Sequence, residues 1–222
     1  MDIKSFDLII FDLDGTLVDN RVAIVNAYKK ALEEFGYAYP GDKWVWSRIG
    51  APVHDAFVAV TKGVEEGKIS EMVDVFRDAY IKDCDKGVEV LPGAVELLTY
   101  LRKNGFKTGL ATTKGNAGAQ ELLKRAGLID YFDVAVGLTD EFRPKPDPSM
   151  LDYIIGKLGV ERSRTMYVGD TPIDMAAARN AKVKSVAVMT GIDIGATTLQ
   201  ELKSSNPDIM MQSLSDLSAY LY

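Results

Sequence analysis

FDLIIFDLDGT, residues 6–16, is the stretch that decides the fold of this 222-residue chain. Its apolar run is short, unbroken and followed by an aspartate, which is typical of a parallel strand buried on both faces. Four more runs of this kind follow along the chain: KTGLAT (107–112), DVAVGL (133–138), TMYVGD (165–170) and SVAVMT (185–190). Together these runs predict an α/β protein with a parallel sheet at its centre.

Amphipathic stretches with clear end signals separate these runs. LPGAVELLTYLRKNG, AGAQELLKRAGL and PSMLDYIIGKLG have apolar residues at helical spacing, and glycine ends each pattern, at Gly105, Gly127 and Gly159. Asp147 and Pro148 supply an N-cap and a first helical residue for the third helix. The alternation predicts a Rossmann-like parallel sheet with helices on both faces.

The alternation fails between residues 20 and 86, where the pattern is helical throughout. RVAIVNAYKKALEEFG, VHDAFVAV and SEMVDVFRDAYIKD follow one another with no strand between them. This segment is too long for a simple crossover between two parallel strands. We therefore predict an inserted α-helical cap domain at residues 17–87, and an α/β catalytic core domain made of residues 1–16 and 88–222.

The composition excludes several classes of protein. A net charge of −6 argues against nucleic-acid binding, which normally requires a basic face. The sequence has neither an apolar run long enough to span a membrane nor a secretory signal, so we expect a cytoplasmic protein with no membrane partner. A single histidine, His54, and a single cysteine, Cys84, leave no multi-histidine or thiolate metal site. The sequence is compatible with a monomer and with a homodimer.

Polar residues follow the first two predicted strands, at the edge of the sheet where ligands bind in α/β proteins. Asp12 and Asp14 come directly after the first strand. An ordinary turn would explain them, but two carboxylates beside a buried strand are costly without a cation. Thr112 closes the second strand. An N-cap for the next helix is the simpler interpretation of Thr112, which is followed by Thr113 and Lys114. In either role its hydroxyl and the nearby backbone N–H groups can bind a phosphate oxygen.

A lysine lies in the proline-rich loop RPKPDP, residues 143–148. Loop lysines are ordinarily solvated surface charges. The three prolines stiffen this loop, so Lys145 is held in a reproducible position that suits charge neutralisation on a phosphoryl group.

Two more carboxylates lie in GDTPID, residues 169–174. A helix cap explains Asp174, but it does not explain Asp170 at the mouth of an apolar strand. If the strands are neighbours, four carboxylates form a cluster that would repel itself without a cation. Oxygen ligands without histidine or cysteine favour Mg²⁺ over zinc, and the predicted metal-binding residues are Asp12, Asp14, Asp170 and Asp174.

DLDGT, the Thr112 strand end, the RPKP lysine and GDTPID stand in this order along the chain, and together they resemble the four motifs of the haloacid dehalogenase superfamily. The resemblance covers essentially the whole chain. The insert between the first two motifs is similar to that superfamily's helical cap of the first type. The tail PDIMMQSLSDL resembles the ends of phosphoglycolate-phosphatase-like members.

The resemblance implies a role for each motif residue. Asp12 is expected to be the nucleophile that forms an aspartyl-phosphate, and Asp14 the acid and base that handles protons. Thr112 and Lys145 are expected to hold the transferring oxygens. Mg²⁺ is expected at the Asp12 carboxylate, the Asp14 backbone carbonyl and Asp170, with Asp174 assisting directly or through Lys145.

The expected partner is a small phosphorylated metabolite. The predicted substrate-binding residues are Thr16, Thr113, Lys114 and Arg48. Arg48 lies in RIGAP, which resembles a cap turn of phosphoglycolate-phosphatase-like proteins, although a surface arginine is the simpler interpretation. His54 is a second candidate for an anionic group of the substrate, with an ordinary turn histidine as its simpler interpretation.

The sequence therefore predicts a Mg²⁺-dependent phosphatase that hydrolyses a small phosphomonoester, similar to phosphoglycolate phosphatase. The dehalogenases of the superfamily lack the second aspartate, so Asp14 argues against dehalogenation. A β-phosphoglucomutase-like sugar phosphomutase would use the same two aspartates and stays an alternative. A binding module without activity is a third possibility, against which the complete set of motif residues argues.

Overall fold

The structure is a computed structural model that describes residues 5–219. Strands in this part of the chain are β1 (Leu8–Phe11), β2 (Val18–Asp19), β3 (Glu89–Val90), β4 (Lys107–Gly115), β5 (Val134–Leu138), β6 (Thr165–Gly169), β7 (Lys184–Val188) and β8 (Ile209–Met211). Six of them form a parallel sheet in the order β5-β4-β1-β6-β7-β8, and β2 pairs antiparallel with β3.

The α-helices are distributed between a continuous run early in the chain and single helices between later strands. They are α1 (Arg21–Glu34), α2 (Asp42–Trp46), α3 (Val53–Thr61), α4 (Glu66–Asp83), α5 (Ala94–Lys103), α6 (Asn116–Arg125), α7 (Ser149–Leu158), α8 (Pro172–Ala181), α9 (Thr190–Asp193), α10 (Leu199–Ser204) and α11 (Leu214–Ala219). None of the helices in residues 5–219 is long and apolar enough to cross a membrane.

The central strand β1 is fully buried because helices cover both faces of the sheet. Ile9 and Phe11 belong to one apolar cluster, which contains side chains of α5 and α6. Leu8 and Ile10 point the other way, into a cluster with side chains of α7 and α8. Successive strand residues face opposite sides, so an unbroken apolar run suits this position. The predicted α/β fold with a covered parallel sheet is confirmed.

Three local predictions differ from the structure. Strand β4 continues past Thr112 to Gly115, through an irregular register with β5, so Thr112 is a strand residue and not a helix cap. Helix α7 begins at Ser149, and Asp147 accepts a hydrogen bond from the Ser149 backbone N–H at 2.9 Å. The sixth strand of the sheet, β8, was not predicted.

Helices α1–α4 lie between the short strands β2 and β3, in the segment 17–87 that we call the cap. Aromatic side chains join three of these helices: the Tyr28 ring centroid lies 5.3 Å from that of Phe57 and 4.7 Å from that of Phe76. The β2–β3 pair brings the two ends of the segment together. The domain boundaries at residues 16/17 and 87/88 stay a prediction.

Candidate active site

The predicted site residues lie at the carboxyl ends of three adjacent strands. Asp12 follows β1, and its backbone N–H donates to the Val168 carbonyl of β6 at 2.9 Å. Thr112 lies in β4, on the other side of β1, and Asp170 follows β6. Because parallel strands end at the same edge of a sheet, residues far apart in sequence meet here.

Asp12, Asp170 and Asp174 form a buried group of carboxylates. One oxygen of each lies within 4.8 Å of the others, and at most 2% of each residue is exposed. Asp174 is held by the first turn of α8, where the N–H and the hydroxyl of Thr171 donate to its Oδ2 at 3.0 and 2.6 Å. The helix cap expected from GDTPID therefore also fixes one member of the acidic group.

Lys145 inserts its ammonium group between two of these carboxylates. Its Nζ donates to Asp12 Oδ1 at 2.7 Å and to Asp174 Oδ1 at 2.6 Å. Burial acts to lower the pKa of Lys145, but the charges of Asp12 and Asp174 outweigh it and hold that pKa well above its usual value. Burial likewise acts to raise the pKa of Asp174, and Lys145 together with Thr171 keeps it below the usual value.

Three carboxylates around one lysine leave an excess of negative charge. Burial raises the pKa of Asp12 to about 7, and Asp174 adds to this effect while Lys145 opposes it. Burial and the two neighbouring aspartates raise the pKa of Asp170 well above its usual value. Asp170 Oδ1 accepts from the Thr16 hydroxyl at 2.6 Å, but Oδ2 has no hydrogen-bond partner among the described residues. A hard divalent cation would compensate such a group, so these residues fit Mg²⁺.

Two glycines make the close packing around Asp170 possible. A Cβ atom on Gly15 or on Gly191 would lie 2.3 Å from Asp170 Oδ2. Gly15 also has φ of +82°, which favours glycine. The backbone of both glycines therefore lies closer to the Asp170 carboxylate than the backbone of a residue with a Cβ atom could.

Asp14 lies outside the acidic group and has a different partner. Its Oδ2 forms an ion pair with Lys114 Nζ at 2.9 Å, while its Oδ1 has no hydrogen-bond partner in the described part of the chain. The same Nζ lies 4.1 Å from the ring centroid of Tyr80 in α4. Asn20 donates to the Tyr80 hydroxyl at 2.7 Å. Asp14 is therefore linked through one lysine to the cap.

A cavity of about 450 Å³ lies between the strand ends and the cap. Asp12, Asp14, Thr112, Thr113, Lys114 and Arg48 all contribute to its lining. Thr113 is almost fully buried and its hydroxyl has no hydrogen-bond partner among residues 5–219, so it can donate to a ligand in the cavity. The Thr112 hydroxyl accepts from the Lys114 backbone N–H at 3.3 Å.

One predicted substrate-binding residue has a different position. Thr16 is fully buried beneath the site and does not line the cavity. Its hydroxyl donates a hydrogen bond to Asp170. Its role in substrate binding stays a prediction without a contact to support it. His54 lines the cavity and also interacts with Glu66 at 2.7 Å, between α3 and α4.

One residue of the site was not predicted. Tyr167 lies in the centre of β6 with a fully buried side chain, and its hydroxyl accepts from Lys145 at 3.1 Å. The same hydroxyl lies 3.0 Å from Asp174 Oδ1 and 3.0 Å from the Ala111 carbonyl. A tyrosine within an apolar strand gives only a weak signal in sequence, namely a polar atom that needs a buried partner.

Comparison with known proteins identifies the family. Residues 9–188 match the family of haloacid dehalogenase-like hydrolases. The chain belongs to this family. Among relatives, "Probable phosphatase IndB" of Dickeya dadantii is 34% identical over 215 residues, which cover 95% of this chain and 91% of that protein. "Pyrophosphatase PpaX" of Halalkalibacterium halodurans is 32% identical over 96% of this chain and 95% of that protein.

Two further proteins are similar to this chain over nearly its whole length. "Phosphoglycolate phosphatase" of Yersinia pseudotuberculosis is 30% identical over 96% of this chain and 92% of that protein. A solved haloacid dehalogenase-like family hydrolase from Streptococcus pneumoniae has a TM-score of 0.85 at 26% identity, covering 99% of this chain and 100% of that one. The predicted superfamily, and with it an enzyme of the hydrolase class, is confirmed.

Proposed function

We propose that this hydrolase is a phosphatase, which hydrolyses phosphomonoesters through an aspartyl-phosphate on Asp12. The observation that carries the proposal is the position of Asp12. This residue lines the cavity, belongs to the buried acidic group and pairs with Lys145 at 2.7 Å. The family match and relatives named phosphatases support the same reaction class.

In the first proposed step, an Asp12 oxygen attacks phosphorus and the bond from phosphorus to the ester oxygen breaks. Asp14, protonated when the ester is bound, gives its proton to that leaving oxygen, and the carboxylate that remains pairs with Lys114. In the second step, a water molecule passes a proton to the Asp14 carboxylate and attacks the aspartyl-phosphate, which releases phosphate and restores Asp12. Lys145 orients the Asp12 carboxylate, and Thr112 with the unpaired Thr113 hydroxyl offers donors to the phosphoryl oxygens.

Mg²⁺ is the proposed cofactor, held by the carboxylates of Asp12 and Asp170 and the backbone carbonyl of Asp14. When bound, the ion would offset the repulsion between the Asp12 carboxylate and a phosphate dianion. Asp174 lies within reach of the same position, but both its oxygens are already occupied by Lys145, Tyr167 and Thr171. We therefore propose that Asp174 assists mainly by holding Lys145.

We propose a small phosphorylated metabolite as substrate, with the phosphate at Asp12 and the alcohol portion below the cap. Arg48 is the proposed contact for an anionic group of the substrate, because it lines the cavity with its guanidinium carbon 5.1 Å from the Trp44 ring centroid. Phosphoglycolate and pyrophosphate, the compounds in the relatives' names, are the first two to test.

Replacing Asp12 with Asn tests the proposal. The variant keeps the shape of the side chain and removes the nucleophile, so Mg²⁺-supported phosphate release should fall by more than roughly 1,000-fold. The melting temperature should stay within a few degrees, because the relief of repulsion among three carboxylates is offset by the loss of the ion pair between Asp12 and Lys145. Asp55→Asn, on the exposed side of α3, is the matched control and should keep full activity.

Phosphate release also separates hydrolysis from the phosphomutase alternative. A mutase returns the phosphoryl group to its bound intermediate, so it would isomerise a hexose phosphate with little free phosphate. Release from a panel of esters by the parent protein, lost in Asp12→Asn, supports the proposal. Equal release by the two proteins would refute the assignment of Asp12.

A further inference from the structure

The cavity is large although the cap touches the core at several points. Lys114 of the core lies against the Tyr80 ring, and Arg21 donates to the Ile194 carbonyl at 3.4 Å. The Trp46 ring packs on Gly195, where a Cβ atom would lie 3.5 Å from it. The volume of about 450 Å³ therefore belongs to an arrangement in which the cap already contacts the core.

This volume exceeds what the smallest phosphate esters need. At roughly 30 Å³ per water molecule in the liquid, the cavity has room for about 15 water molecules. It falls within the range of roughly 300–1,000 Å³ found for pockets that enclose drug-sized ligands. A two-carbon acid or a second phosphate would leave much of this space filled with water.

Apolar side chains form much of the lining beyond the catalytic residues. The cap contributes Ile49, Val73 and Phe76, and the core contributes Leu138 and Phe142. Water next to such a wall gains little from hydrogen bonding, so its displacement by an apolar group is favourable. The wall suits a carbon chain or ring better than a second phosphate.

Two of the cationic side chains of the cavity already have a carboxylate partner, Lys114 in a buried ion pair and Arg77 in an exposed one. Lys114 pairs with Asp14 at 2.9 Å, and Arg77 pairs with Asp74 on its own helix at 3.0 Å. Arg48 stacks on Trp44 and forms no ion pair among the described residues. One free arginine suits at most one further anionic group, whereas a second phosphate would call for several donors.

We propose that the substrate is a phosphate monoester of an alcohol with an extended apolar body, which lies against Ile49, Val73 and Phe76. This inference rests on the proposed function, since it places the phosphate at Asp12. It specifies the alcohol that leaves, and it favours such esters over phosphoglycolate and pyrophosphate.

Binding of phosphonates tests the inference without any turnover. Ethylphosphonate and hexylphosphonate carry the same head group and differ only in chain length. Calorimetry with the Mg²⁺-loaded protein should give a Kd that falls roughly tenfold for every two added methylene groups, with a more negative heat-capacity change for the longer chain. Equal values of Kd, or tighter binding of methylenediphosphonate than of hexylphosphonate, would overturn the inference.

Val73→Phe and Val58→Phe form a matched pair of variants. Val73 lines the cavity from α4, whereas Val58 is exposed on α3. Filling the cavity at residue 73 should reduce the preference for hexylphosphonate over ethylphosphonate at least tenfold, and the change at residue 58 should leave it unaltered. An unchanged preference in Val73→Phe would also contradict the inference, and the comparison in the parent protein does not depend on how this variant folds.

The two proposals fail in different ways. If hexylphosphonate binds preferentially but Asp12→Asn still releases phosphate from hexyl phosphate, the nucleophile assignment is wrong and the binding site stands. If Asp12→Asn is inactive but chain length has no effect on Kd, the phosphatase assignment stands and the inference about the alcohol is wrong.

Discussion

Tyr167 is a residue through which three parts of the site meet. Its hydroxyl lies within hydrogen-bond distance of Lys145 from the loop after β5, Asp174 from α8 and the Ala111 carbonyl of β4. Burial raises the pKa of Tyr167 well above its usual value, with the charge of Asp174 acting in the same direction. The hydroxyl is therefore protonated and acts as a fixed dipole that orients the lysine.

Replacing Tyr167 with Phe should loosen Lys145 while leaving the apolar packing of β6 intact. The loss of one buried hydrogen bond to a charged group should lower kcat/KM about tenfold and cost about 1 kcal/mol of unfolding free energy. Phosphate-release kinetics and thermal unfolding measure the two effects. Tyr153→Phe is the control, because the Tyr153 hydroxyl accepts from Lys157 on the same exposed helix face and contacts no residue of the site among those described. Unchanged kcat/KM in Tyr167→Phe would show that the hydroxyl has no part in positioning Lys145.

At the residue scale, the sequence predicts charged groups better than their partners. Asp12 and Asp170 could be predicted because a carboxylate at the end of a buried strand is costly without a cation. Lys145 could be predicted because the prolines around it stiffen its loop, whereas a helix cap already explains Asp174. Tyr167 could not be predicted, since the role of its hydroxyl depends on Lys145 and Asp174, which only the fold brings next to it. Which oxygens of the acidic group are unpaired is likewise a property of packing.

At the scale of secondary structure, the start of helix α5 depends on one glycine. Gly93 precedes the helix with φ of +84°, and a Cβ atom there would lie 2.3 Å from the backbone nitrogen of Ser215. Ser215 is in the first turn of α11, which packs on α5. The glycine therefore allows the C-terminal helix to dock against the core.

Gly93→Ala should destabilise the fold by about 3 kcal/mol, because left-handed backbone strain adds to a clash with immobile backbone. Gly156→Ala is the opposite case. Gly156 lies inside α7, and apart from the adjacent residues and backbone of that helix no described atom lies within 4 Å of the new Cβ, so that variant should gain about 0.5–1 kcal/mol. Denaturant unfolding compares them. Equal stability of Gly93→Ala and the parent protein would mean that α11 does not dock as described.

Elements with a strong period were predictable, and elements that depend on pairing were not. The five short apolar runs all form strands of the sheet, because burial on both faces leaves a clear signal in the sequence. Strand β8, with three residues, and the two-residue strands β2 and β3 exist through their hydrogen-bonded neighbours. Strand β4 runs on to Gly115 through its irregular pairing with β5, which sequence periodicity does not contain.

At the scale of the whole molecule, the arrangement of the cap on the core could not be predicted from the sequence. The helical pattern of residues 20–86 predicts an insert, but its contacts with the core join residues that are distant along the chain, such as Tyr80 with Lys114. The cavity between them, and therefore the space for a substrate, follows from those contacts. The motif residues indicate which group of a substrate reacts, whereas the packing of the cap determines how much space the rest of the substrate has.

The excess of negative charge in the protein indicates that a bound cation should stabilise the fold. The chain has a net charge of −6, and its buried acidic group has one lysine for three carboxylates. Mg²⁺ that binds only the folded protein should raise the melting temperature by about 5 °C at a concentration of 100 times Kd. The increase should disappear on chelation with EDTA.

Asp170→Asn should separate the metal's effect from that of the buried charge. Because the folded-state pKa of Asp170 lies above its usual value, this carboxylate lowers stability at every pH above its unfolded pKa. Removing it should raise the melting temperature in metal-free buffer, with the hydrogen bond from Thr16 retained. The same variant should lose the stabilisation by Mg²⁺, whereas Asp55→Asn should behave like the parent protein in both respects. An equal response to Mg²⁺ in Asp170→Asn and the parent protein would place the metal elsewhere. A lower melting temperature of Asp170→Asn in metal-free buffer would mean that Asp170 Oδ2 has a partner.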